Sequence, residues 1–140
     1  MEFIFFPDPQ SFDPQKEEFT DEAGDVGKEL EDLSKRRPDL YLRVKSFLKA
    51  LLKVDDIAPY LRNEQIYKFP KEYEGLYEMR IPKQAHGGVF RIYFCKSLNK
   101  LNALILLCAE LKHKAKPMKL KTAMEKLKHY KELVKQGVML

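Results

Sequence analysis

The stretch Gly75-Leu-Tyr-Glu-Met-Arg80-Ile-Pro-Lys-Gln-Ala-His86-Gly87-Gly88-Val-Phe-Arg91-Ile-Tyr-Phe94 decides the fold. Leu76, Glu78 and Arg80 alternate with Tyr77, Met79 and Ile81, the period-two pattern of a strand with two different faces. Val89 to Phe94 is aromatic and β-branched, which suits a pleated, buried surface. Between the two runs lie Pro82, which cannot donate to a ladder, and Gly87-Gly88, which tolerate positive φ. The pattern predicts a β-hairpin with a polar tip. Each strand carries one arginine among apolar neighbours, Arg80 and Arg91. A guanidinium in such surroundings is costly unless it is paired or meets an anion.

Downstream of the hairpin, Ser97-Leu98-Asn99-Lys100 reads as a turn and Ala103 to Leu111 as a strand buried on both faces. Lys112-His113-Lys114-Ala115-Lys116 leaves that strand, and Pro117 sits where a helix would begin. Met118 to Lys135 is an amphipathic helix with Leu120, Ala123, Met124, Leu127, Val134 and either Tyr130 or Lys131 on one face, terminated by Gly137. Upstream, Met1 to Phe6 predicts a short first strand, and residues 7–20, with Pro7, Pro9 and Pro14, a loose connection. A helix over 21–36 carries Val26, Leu30 and Leu33 on one face. A second, starting at Pro38, carries Leu40, Tyr41, Val44, Phe47, Leu48, Leu51 and Leu52. Residues 55–74 read as irregular. The expected order is strand, two helices, three strands, helix. That is one α+β domain over 1–140, with an N-terminal helical hairpin packed on a mostly antiparallel sheet and a C-terminal helix.

A chain of 140 residues suits one domain with one core. No run approaches the ~18 apolar residues of a membrane helix, and Met1 to Phe6 is too short for a signal peptide. The expectation is a cytoplasmic protein with no membrane partner. Cys95 and Cys108 sit in strand-like runs without CxxC spacing, which predicts buried, reduced thiols. Charge is divided unevenly. Residues 1–60 hold 9 Lys/Arg against 14 Asp/Glu, net −5, and residues 61–140 hold 17 against 7, net +10. A one-sided basic half suits a polyanionic partner, nucleic acid foremost; the alternative is a lysine-rich helix face that is merely solvated.

His86, His113 and His129 are scattered, with no cysteine or carboxylate at ligand spacing, so neither a metal nor another cofactor is expected. Gly87-Gly88 reads as a hairpin turn rather than a phosphate cradle, and no nucleophile signature is present. What remains is a basic constellation. Arg80 and Arg91 lie on neighbouring strands, Lys112, His113, Lys114 and Lys116 come off the end of the third, and Tyr130 lies on the last helix. Lys83, His86 and Lys119 flank it. Such a face can hold a phosphodiester backbone, and its arginines can stabilise the charge of a pentavalent transition state. A His, Tyr or Lys can move the proton, and RNA supplies its own 2′-OH nucleophile. Each residue also has a plainer reading. Arg80 pairs with Glu78 or Glu110, Arg91 lies over Tyr77 or Tyr93, His86 and His113 are solvated, and Tyr130 is core.

The runs Tyr73 to Ile81 and Phe90 to Phe94, then Leu104 to Leu107 followed by lysines and Pro117, then Ala123 and Tyr130, resemble the RelE/HigB-type toxins of type II toxin–antitoxin systems. The likeness is nearest to their phage-derived, HigB-like branch and spans about residues 20–135. It implies a microbial-ribonuclease-like fold and a metal-independent endoribonuclease that cleaves mRNA, typically on the ribosome. It also implies a cognate antitoxin, expected to be a helix-turn-helix protein. By the same resemblance Arg80 and Arg91 match the strand arginines that hold the RNA phosphate, and Lys112 the second lysine after the last strand. The first lysine of that pair is Leu111 here, and the preceding aromatic falls near Glu110. The alternatives from other classes are a catalytically silent RNA- or ribosome-binding relative and a protein-interaction module.

Overall fold

The computed structural model describes residues 1–6, 24–82, 88–112 and 119–137. The loose connection expected over 7–20, the hairpin tip and Pro117 lie outside these residues. The chain forms β1 (Glu2–Phe5), α1 (Gly24–Arg36), α2 (Pro38–Leu52), α3 (Ala58–Arg62), β2 (Ile66–Lys68), β3 (Tyr77–Ile81), β4 (Val89–Lys96), β5 (Ala103–Lys112) and α4 (Leu120–Lys135). The strands make one sheet in the order β1-β5-β4-β3-β2. β1 runs parallel to β5, and every other pair is antiparallel.

The predicted hairpin is β3–β4, at the centre of the sheet, with Tyr77 opposite Phe94 and Arg80 opposite Arg91. It continues into β5 as the expected meander. Residues 55–74 are not irregular as expected, because they contain α3 and the edge strand β2. A three-residue strand shows no period of its own; it is held by its ladder to β3, where Ile66 meets Met79. The chain then passes a 3-10 turn at Lys71–Tyr73 and two left-handed residues, Glu74 and Gly75 (φ 54° and 94°), to enter β3.

Alternation on β3 and β4 gives the sheet two different faces. Met79, Ile81, Phe90, Ile92 and Phe94 pack under the helical hairpin against Val26, Leu30, Val44 and Leu48. This is the cover that the stripes of α1 and α2 predict, with Phe47 and Leu52 at its margin. The other face carries Leu76, Tyr93, Cys95 and Cys108, and meets Ala123, Leu127 and Tyr130 of α4. Both cysteines are buried and neither forms a disulfide, and burial pushes the Cys95 thiol up to about 12. The Met1 amine donates to the carbonyls of Leu52 and Val54, tying β1 to the end of α2. Among the described residues no helix is long and apolar enough to cross a membrane.

One irregularity sets up the charged face. The β4–β5 register slips between Tyr93, opposite Cys108, and Phe94, opposite Leu106. Leu107 is therefore the extra residue of a β-bulge, and the facing of β5 inverts across it. Leu104 and Leu106 join Ala109 under the helical hairpin, while Leu107 and Cys108 both pack toward α4. Without the bulge, Glu110 and Lys112 would lie beneath the helical hairpin. With it they share the face of Arg91, opposite Glu110 in the ladder.

Candidate nucleic-acid interface

On the α4 side of the sheet, strand register gathers the charged residues at the end away from the β4–β5 turn. Glu78 and Arg80 come from β3, Arg91 and Tyr93 from β4, and Glu110 and Lys112 from β5. Glu78 is the hub. Its side chain is 0% exposed and lies between two guanidiniums whose side chains are 33% exposed for Arg80 and 11% for Arg91. Arg80 Nε donates to Glu78 Oε1, and Arg91 Nη1 reaches both carboxylate oxygens at 3.4 Å. A buried carboxylate is tolerable with such partners, and they in turn fix the arginines. Of the plainer readings for Arg80, pairing with Glu78 is the one seen. Arg91 also turns to Glu78, and its Nε is buried with no hydrogen-bond partner among the described residues.

Glu110 has a different task. Its Oε2 accepts from the Tyr93 hydroxyl and from the Lys119 backbone N–H, both at 2.8 Å, and so links β4 and β5 to the start of α4. Burial first, then the carboxylate of Glu110, push the Tyr93 phenol well above its ordinary range, so it remains a donor. Lys112 is only 6% exposed, and no carboxylate among the described residues pairs with it. Among the described residues the face thus sets three cations (Arg80, Arg91, Lys112) against two carboxylates (Glu78, Glu110). The surplus charge and the spare guanidinium donors suit a phosphate.

Other expected site residues are placed differently. Tyr130 is not beside the arginines. It is fully buried near the opposite end of the sheet, where its hydroxyl accepts from Leu98 N–H at 3.1 Å. Arg91 and Lys96, which bound this part of β4, are about 16 Å apart at strand rise. Helical period leaves either Tyr130 or Lys131 on the apolar face with Leu127, and the buried one is Tyr130. Lys119 turns its ammonium to Glu29 of α1, at 3.3 Å. Lys83, His86, His113, Lys114 and Lys116 lie outside the described residues.

Comparison with known protein families, characterised proteins and solved structures finds no match for this chain. Fold and site together define its class: an α+β domain with an open, mostly antiparallel sheet that carries an arginine–glutamate–arginine cluster on one face.

Proposed function

We propose that this chain is a toxin of the RelE/HigB type: it binds RNA through Arg80, Arg91 and Lys112 and cleaves mRNA on the ribosome without a metal. The observation that carries the reading is the pair of arginines brought side by side by strand register, with a buried Arg91 Nε that has no acceptor among the described residues. Glu78 pre-organises both guanidiniums, so they need not reorient as charge grows on the phosphoryl oxygens. The nucleophile is the RNA 2′-OH. In the cell the basic half of the chain would be covered by an antitoxin with complementary acidic charge.

A second reading has its own support. Glu78 already occupies both arginines and Tyr130 stands at the far end of the sheet, which favours a relative that binds RNA or the ribosome and does not cut. Two measurements decide. The first follows growth and mRNA integrity when the protein is induced alone and together with the product of its neighbouring gene. The second compares Arg91→Ala with the parent. Loss of one donor to developing charge should slow cleavage ~10²–10³-fold, and Arg91→Lys should recover only part because lysine lacks the planar fork. Because Arg80 remains on Glu78, folding should cost less than the ~3–5 kcal/mol of a fully stranded buried charge. RNA that is bound and left intact by the parent would establish the silent relative.

A further inference from the structure

Beside the arginines, the sheet edge carries an aromatic group that phosphate binding leaves unused. Tyr67 lies on β2 opposite Glu78, so it shares the face of Arg80. The Arg80 guanidinium carbon sits 4.9 Å from the centre of its ring. The ring makes a T-shaped contact with Phe69, with centroids 5.0 Å apart, and Phe69 lies 6.2 Å from buried Tyr93. Tyr67 is thus fixed from two sides, yet it remains 39% exposed.

We propose that Tyr67, with Arg80 stacked on it, is a base platform. The unpaired base of the nucleotide next to the bound phosphate stacks on this pair. The proposal rests on the RNA-binding reading above and narrows the ligand to single strands, since a base inside a duplex is already stacked on both sides. Every base offers a π-face, so the platform positions RNA without reading its sequence. Arg80 would serve twice, its plane stacked on Tyr67 and its edge donors turned to the phosphate, while Glu78 holds that plane in place.

The test measures binding of short single-stranded RNA to the full chain by fluorescence anisotropy. One abasic site is moved along the strand, and the parent is compared with Tyr67→Ala and Tyr67→Phe. Stacking of one base predicts about ten- to a hundredfold weaker binding for Tyr67→Ala, and the same loss at one abasic position in the parent. The two losses should not add, and Tyr67→Phe should stay near the parent. Full additivity would overturn the platform, because the tyrosine would then act only by placing Arg80. If Tyr67→Ala fails to fold, the abasic series on the parent decides alone, and a flat series sinks the idea. If the parent binds no RNA, the broader reading fails and takes the platform with it. If the parent binds RNA and Arg91→Ala weakens it, but neither Tyr67 nor any abasic position matters, only the platform is lost.

Discussion

Replacing Glu78 by glutamine would show how firmly the arginine cluster is built. The amide keeps the volume of the side chain and removes the charge that both guanidiniums face. Removing one partner of a buried ion group costs ~3–5 kcal/mol. Two features of the site lower that figure. Arg80 is about one-third exposed and can turn to water, and the Arg91 contacts are long at 3.4 Å. We therefore expect a loss of ~2–3 kcal/mol, carried mostly by Arg91, whose side chain is only 11% exposed and regains less hydration than that of Arg80. For a chain of this size that is a fall of about 10 °C in melting midpoint. Circular dichroism melts and urea titration should agree on it. The substitution also adds one unit of positive charge to the face, so the folded variant should hold RNA at least as well as the parent. A melting midpoint within about 2 °C of the parent would refute the reasoning, because the carboxylate would then not be what anchors the arginines.

Lys112→Ala should leave stability nearly unchanged and flatten the salt dependence of single-stranded RNA binding by about 0.7 in log–log slope, the contribution of one phosphate contact. Gly75→Ala should cost ~1–2 kcal/mol from its left-handed backbone alone, since an added Cβ there meets nothing within 4 Å; a urea midpoint equal to the parent's would contradict this. Alkaline pH should destabilise the fold. The Cys95 thiol is raised from 9.0 to about 12 and the Tyr93 phenol is raised too, so the unfolded chain ionises first. Stability is then full below about pH 9 and falls as pH rises, with a urea midpoint lower at about pH 10.5 than at about pH 8.

Much of this architecture was legible because its signals are local. Alternation from Leu76 to Ile81 gives both the strand and the facing of Glu78 with Arg80. The β-branched, aromatic run at Val89 gives its partner, and Pro38 with the stripe from Leu40 to Leu51 gives α2. What escaped is set by pairing between distant segments. Ile66-Tyr67-Lys68 is too short to show a period, so β2 and the aromatic edge it carries were hidden. The apolar run Leu104 to Cys108 conceals its bulge, because leucine follows leucine on both faces and no polar residue marks the slip. The facing of Glu110 and Lys112 could therefore not be counted from the start of β5. Tyr130 was legible as a core candidate from its spacing to Leu127; its place among the catalytic residues assumed that the last helix brings it to the basic end of the sheet, which no local pattern specifies.

The pairing of β1 with β5 has a consequence in time. Glu2 pairs with Ala103, 101 positions later, whereas β2 to β5 can find one another within a span of 47 residues, from Ile66 to Lys112. At ~5–20 residues per second, the four apolar residues Phe3 to Phe6 wait roughly 5–20 s during synthesis before their partner strand exists. Until then they are a handhold for chaperones and a risk for neighbouring nascent chains. The charged face is complete without them, so the half of the sheet that would meet RNA can form before the strand that closes the domain.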